Sequence, residues 1–212
     1  MMTPSAAQSQ LLVRDASHFH WYAIPLLLIV VYAYAEQAAE QRWNVVLAGA
    51  AFWLMDWINE ICNGLVLHFS GFAPVWGTPN GNSAYVILVG LNVEISFMFA
   101  IMGLASVRML PPDPRLKILG IGNRWLMAMA NSLLCVLVEC WLNHIGALTW
   151  EWRAWNLHAP WLIFLIGYLP FFLVAYWVHD MPSRRRQIAV VSTLAGGVGL
   201  ALIVFAGVLG WI

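Results

Sequence analysis

The stretch FWLMDWINEICNG, residues 52–64, decides how this chain has to be read. It sits inside an apolar run, yet it carries Asp56, Asn59, Glu60 and Asn63. Followed outward, the run extends over about residues 43–69. At about 1.5 Å per helical residue that is enough to cross the roughly 30 Å of hydrocarbon in a bilayer. The rest of the chain agrees with a bilayer. Of its 212 residues, 62% are hydrophobic and 9% charged, and the mean hydropathy is +0.75. A soluble domain carries about 25% charged residues, so this composition cannot supply a water-facing surface. The sequence therefore predicts an all-α, polytopic membrane protein, and the question becomes why it buries carboxylates.

Six spans are expected, over approximately 20–36, 43–69, 84–108, 122–148, 159–179 and 187–210. The breaks between them have chemical causes. SGFAPVWGTPNGNS is rich in Gly, Pro and Asn, LPPDPR cannot continue a helix, and HDMPSRRRQ joins a proline to three arginines. No internal repeat or linker is visible, so one integral membrane domain covers residues 1–212. Basic residues set the expected orientation. Arg108, Arg115, Lys117 and Arg124 flank the third connection, and Arg184, Arg185 and Arg186 occupy the fifth. Those connections are expected to be cytoplasmic and both termini outside. The first twenty residues lack the basic and apolar regions of a cleaved signal. Ten basic residues balance ten acidic ones, which implies neither nucleic acid nor an acidic partner.

Asp56, Glu60 and Asn63 are spaced i, i+4, i+7 and share one helical face. In the fourth span Asn131, Cys135, Glu139 and Asn143 recur at intervals of four. The third span adds Glu94, with Asn92 and Ser96 close by. Counted at the helical rise, Glu60, Glu94 and Glu139 each lie about 12–15 Å below the outer ends of their spans, on one level. An acid at a helix centre costs roughly 2.5–3.5 kcal/mol to insert, and such residues face the bundle interior. Three carboxyl groups in one low-dielectric pocket cannot all be ionised, so at least one is expected to hold a proton. A protonated acid in an apolar pocket is equipped for general acid catalysis. Glu60 is the expected acid, with Asp56, Glu94 and Glu139 as its catalytic partners.

The tryptophans extend this reading. Trp125, Trp141, Trp150, Trp152, Trp155, Trp161 and Trp177 fit an interfacial belt. Trp53 and Trp57 lie mid-span beside the acids, and aromatic faces stabilise cations. Trp53, Trp57 and Tyr168, with the amides of Asn63, Asn92, Asn131 and Asn143, are the expected lining of a substrate site.

NEICNGLVLHFSG, residues 59–71, resembles the second-helix motif of the integral membrane terpene cyclases of fungal meroterpenoid and indole-diterpene pathways. The resemblance places that family's glutamate on Glu60 and implies that it protonates an epoxide or alkene. This chain departs by having Asn59 where the family favours tryptophan and Asn63 where it favours tyrosine. It also has six expected spans rather than seven, and only Glu139 and Asp180 as stand-ins for the family's second acid. A looser, architectural similarity is to the sterol isomerases of the emopamil-binding-protein group, in which buried glutamates, an asparagine and tryptophans surround a sterol cation. Both imply proton-initiated cyclisation or isomerisation of an isoprenoid-type lipid, with no cofactor.

Two other readings stay open. Glu60, Glu94, Glu139 and His144 could form a carboxylate–histidine site for iron, manganese or zinc, although no HxxxH, ExxH or HExxH spacing occurs. A proton-coupled transporter or a structural membrane subunit is the third. Gly196, Gly197, Gly199, Gly207 and Gly210 on the last span would suit a homo-oligomer contact, and SRRR would suit anionic membrane lipids.

Overall fold

The computed structural model describes residues 1–79 and 82–212. It is mostly helical. A short helix, α1 (Pro4–Leu12), precedes α2 (Ala23–Ala39) and α3 (Trp43–Ser70). A two-stranded hairpin, β1 (Val86–Leu88) and β2 (Leu91–Asn92), leads into α4 (Val93–Arg108). A second hairpin, β3 (Lys117–Ile118) and β4 (Ile121–Gly122), leads into α5 (Asn123–His144). The chain closes with α6 (Pro160–His179) and α7 (Arg184–Val208). Among the described residues four helices are long and apolar enough to cross a membrane: α3, α5, α6 and α7. The apolar α2, at 17 residues, and α4, at 16, are shorter.

The largest departure from the sequence reading is the third span. In place of one helix over residues 84–108, Val86–Asn92 form the hairpin and α4 begins only at Val93. Gly90 in the turn and Asn92 explain why. The Asn92 side chain accepts a hydrogen bond from the Ile95 amide at 2.8 Å and so caps α4. Glu94 consequently lies in the first turn of its helix, not midway along a span. The common depth expected for the three glutamates does not hold for Glu94.

The long α3 is the axis. It packs against α4, α6 and α7. Its approach to α4 is close because both helices offer glycine there. A Cβ added to Gly103 would come within 2.7 Å of the Phe52 Cβ and 2.8 Å of the Gly49 carbonyl. Small residues let helix backbones approach in this way. Tyr34 of α2 donates to the Ala100 carbonyl at 3.0 Å and ties α2 to the same pair. Phe52, Phe99, Phe171 and Phe172 then fill the centre, with ring centroids 4.8–5.9 Å apart. Aromatic pairs at such spacings contribute about 0.5–1.5 kcal/mol each beyond their buried area.

The two ends of the bundle differ. At one end the α3–α4 and α5–α6 connections meet through a bridge between Gly77 and Thr149. The start of α1 and its cap cover them: the Thr3 amide donates to the Phe72 carbonyl at 3.0 Å, and Ser5 bonds to Glu151. Arg14 reaches the Ile212 carbonyl at the same end. At the other end Arg124 bridges to Asp180, Arg108 to Glu36, and Asn44 meets His179. On α7, a Cβ added to Gly196, Gly197 or Gly199 would meet nothing within 4 Å, so these glycines are not used for packing within the chain.

Candidate functional site

The site is built on α3. Asp56, Glu60 and Asn63 fall on its inner face with 3%, 2% and 1% of their surfaces exposed. Beyond the helix, Gly71 adopts φ 57° and its amide caps the Leu67 carbonyl. This left-handed residue turns the chain back over the helix end. Asn63 then holds the returning loop on both sides. Its Oδ1 accepts from the Val75 and Trp76 amides at 2.6 and 3.2 Å, and its Nδ2 donates to the Trp76 carbonyl at 2.8 Å. Trp76 is thereby aimed inward, and its indole N–H donates to Glu60 Oε1 at 2.8 Å. Gly90 in the hairpin turn leaves the space for this. A Cβ there would lie 2.5 Å from Asn63 Nδ2 and 2.6 Å from the Trp76 ring.

The facing wall comes from α5 and α6. Glu139 accepts a hydrogen bond from the Tyr168 hydroxyl at 2.8 Å. Tyr168 ends a π-helical turn over Ile163–Tyr168, just ahead of Pro170. Proline has no amide to donate and so loosens the ladder before it. Such π turns concentrate at functional sites because they re-aim side chains. Here the turn brings Ile163, Gly167 and Tyr168 to the cavity wall. Gly167 admits Trp155, whose ring would be 3.2 Å from a Cβ at that position, and Trp155 lies against Trp76 with centroids 5.6 Å apart.

Together Asp56, Asn59, Glu60 and Glu139 border one buried cavity whose other walls include five aromatic rings: Trp76, Phe99, Trp155, Tyr168 and Phe171. It holds about 40 Å³ for water centres, room for roughly three waters at the 10–15 Å³ each requires. Its electrostatics are one-sided. Among the described residues no Lys, Arg or His lines it. Among the described residues, Asp56 Oδ2, Glu60 Oε2, Glu139 Oε2 and the Trp155 indole N–H are buried without a hydrogen-bond partner. Buried polar atoms are nearly always paired, so a cluster of unpaired ones calls for a ligand or a proton-handling role.

The remaining expected site residues lie elsewhere. Glu94 accepts from the Tyr22 hydroxyl, from Ser83 Oγ at 3.0 Å and from the Ala84 amide at 2.6 Å. It lines a neighbouring polar recess with Thr78, Asn82, Ser83 and Asn92. Asn131 donates to the Tyr176 hydroxyl and ties α5 to α6, whereas Asn143 donates to the Leu148 carbonyl and holds the turn after α5. Trp53 donates to Ser96 Oγ at 2.9 Å, and Trp57 packs toward Leu54, Ile61 and Val198. Neither tryptophan reaches the cavity. The set Glu60, Glu94, Glu139 and His144 is not assembled. Among the described residues no three His, Cys, Asp or Glu side chains could jointly hold a metal ion.

Sequence reasoning missed Trp76, Gly90 and Gly167 and assigned Trp155 to the belt. The available signal was APVWGTPNG itself: a tryptophan fixed between Pro74 and Gly77, immediately after the acid-bearing helix.

Residues 3–207 match a family described as an uncharacterized membrane protein family. The chain belongs to that family. The matched region includes the whole of the four-helix frame but the last residue of α7, and all of the cavity. An uncharacterized protein of Archaeoglobus fulgidus is 52% identical over 212 residues, covering all of both chains. A second from the same organism is 53% identical over 53 residues, covering 25% of this chain and 95% of its own. No solved structure matches.

Proposed function

We propose that this family member is an integral membrane enzyme that protonates a carbon–carbon double bond in a hydrophobic, isoprenoid-type lipid. One observation carries the reading: three buried carboxyl groups with unpartnered oxygens share an aromatic-walled cavity lined, among the described residues, by no basic side chain. With no cation to balance them, the acids are neutralised by retained protons or by what they bind. Glu60 has the arrangement of a donor. Its Oε1 is held by Trp76, which leaves Oε2 free to carry and deliver a proton. Transfer to an alkene carbon leaves a cation on the neighbouring carbon. Five aromatic faces suit that charge, and a bound substrate would displace the cavity waters that would quench it. Glu139, oriented by Tyr168, then removes a proton from the adjacent carbon, and the product is an isomer of the substrate. Between turnovers Glu139 gives its proton to water in the cavity, and Asp56, one turn from Glu60, passes a solvent proton back to Glu60.

The small cavity, about 40 Å³ for water centres, suits an isomerisation in which one reacting position meets the acids. In this reading α2 and α4 also span the membrane, the hairpin before α4 extends it to the surface, and the bundle has six spans. The basic end, with Arg108, Arg124 and Arg184–Arg186, then faces the cytoplasm.

Solvent deuterium tests the chemistry even while the substrate is unidentified. Membranes carrying the protein are incubated in D₂O, and their lipids are analysed by mass spectrometry for deuterium at non-exchangeable carbon. The wild type should introduce one deuterium per turnover and Glu60→Gln none. Absence of incorporation by the wild type, or equal incorporation by the variant, overturns the proposal.

A further inference from the structure

Three recesses meet at one pair of side chains. Ile95 and Leu148 line the acid cavity, the polar recess around Glu94, and a third, apolar groove. The groove runs between α4 and α5, which pack on α3 and α6 respectively but make little contact with each other. It is walled by Met98, Met102, Leu134, Cys135, Val138 and Leu142. Met98, Leu134 and Val138 are exposed on the outside of the bundle, so the groove opens to the lipid. Its inner end is Glu139, Tyr168 and Phe99, which are also walls of the acid cavity. The groove holds about 180 Å³ and the polar recess about 320 Å³, both larger than the acid cavity between them.

We infer that the substrate is a single-chain lipid with a hydroxyl head, and not a phosphate or diphosphate ester. Its chain lies in the α4–α5 groove, its head lies in the polar recess, and the intervening carbons pass Ile95 and Leu148 beside the acids. The inference rests on the proton-transfer reading above. The sign of the charge selects the head. Asp56, Glu60, Glu94 and Glu139 line the three recesses, and among the described residues no Lys, Arg or His does. Phosphate recognition uses Arg, Lys or helix N-termini, and the start of α4 is already occupied by the Asn92 cap and the Glu94 carboxylate. A hydroxyl needs only the neutral donors and acceptors present there: Thr78, Asn82, Ser83 and Asn92. Thr78 Oγ1 is buried without a partner.

Photolabelling separates the two head groups. A long-chain isoprenoid alcohol bearing a diazirine, and the monophosphate of the same alcohol, are each offered to the protein in phosphatidylcholine vesicles. The labelled residues are then mapped by mass spectrometry. The alcohol should label Met98, Met102, Leu134 and Val138, with competition by unlabelled alcohol. The phosphate should label them roughly tenfold less, a preference of about 1.4 kcal/mol. Val138→Trp fills the groove from the lipid side and should remove the labelling, whereas Leu200→Trp, on the outer face of α7, should leave it. Equal or stronger labelling by the phosphate overturns the inference. So does labelling no denser in the groove than at Leu200 and Ile203. Groove labelling without any solvent deuterium in lipid would sink the enzymatic reading and leave the hydroxyl-headed lipid as a bound ligand of the groove. Glu60-dependent deuterium without groove labelling would do the reverse.

Discussion

Glu60 and Glu94 are both glutamates set among apolar residues, and they illustrate two uses of a costly group. Glu94 sits in the first turn of α4, where a carboxylate is favoured by the helix dipole. It accepts hydrogen bonds from Tyr22, Ser83 and Ala84, so the hairpin, the start of α2 and α4 are joined through it. Glu60 sits midway along α3 with one oxygen held by Trp76 and the other unpaired. The first acid is satisfied and holds structure. The second is left incomplete beside two others in the same state. Satisfaction of hydrogen-bonding capacity, more than burial, separates a structural acid from a reactive one.

The strongest way to break this comparison is to remove the ionisable proton from Glu60. Glu60→Gln should lower the rate of solvent-deuterium incorporation by about 10²–10⁴-fold, the usual contribution of a general acid. Its melting temperature in detergent should stay close to that of the wild type, because a neutral amide replaces an acid that lacked a full set of partners. A collapse of the fold in this variant would show that Glu60 is structural too.

The next effect belongs to Glu94, and its readout is stability. Glu94→Ala strands the Tyr22 hydroxyl, Ser83 Oγ and the Ala84 amide. Of these the Ala84 amide belongs to a buried residue, and an unsatisfied buried partner costs about 1–3 kcal/mol. A chain of this size loses about 2–4 °C of melting temperature per kcal/mol, so a fall of several degrees is expected by thermal unfolding in detergent. A melting temperature equal to that of Glu60→Gln would erase the distinction between the two acids.

Gly90→Ala sharpens the comparison from the side of Trp76. The new methyl would press on Asn63 and the indole, 2.5 and 2.6 Å away, and push the ring off Glu60. The rate should fall by roughly tenfold through loss of orientation, about 1.4 kcal/mol of transition-state stabilisation. An unaltered rate with Trp76 still bonded, read from its indole N–H resonance, would show that the turn has slack.

How far the sequence carried this reading differs by region for physical reasons. The α3 site was legible because Asp56, Glu60 and Asn63 are one helix turn apart, and a helical face follows from spacing alone. Glu139 was legible for the same reason on α5. Glu94 was misplaced because hydropathy does not see hairpins: YVILVGLNV is as apolar as a helix, and only Gly90 and Asn92 mark the turn and the cap. The cavity's aromatic walls were largely invisible. Trp76 and Trp155 reach it from connections whose paths are set by Asn63 and by the bridge between Gly77 and Thr149, contacts between distant positions. Tyr168 was named from its place in a span, but its aim depends on the π turn ahead of Pro170.

The smallest effect tests the end of the bundle away from the site, where an acid is satisfied by charge and is partly open to solvent. Asp180 receives Arg124 Nε and Nη2 at 2.7 and 2.9 Å, and His179 Nδ1 lies 2.8 Å away. Burial alone would raise its pKa, yet the hydrogen bonds from Arg124 and His179, with the arginine's charge, hold it below the ordinary aspartate value. Because the folded value is the lower one, the contribution to stability is present above the unfolded value of about 3.9 and disappears as the pH falls through the folded value. Solvent screening limits it to about 0.5–1 kcal/mol. Melting in detergent should therefore be a few degrees higher for the wild type than for Asp180→Asn at neutral pH. The two curves should converge as the pH drops below about 4. A gap that persisted at low pH would assign the difference to packing, and Asp180 would then belong with the structural hydrogen-bond acceptors, as Glu94 does, and not with the ion pairs.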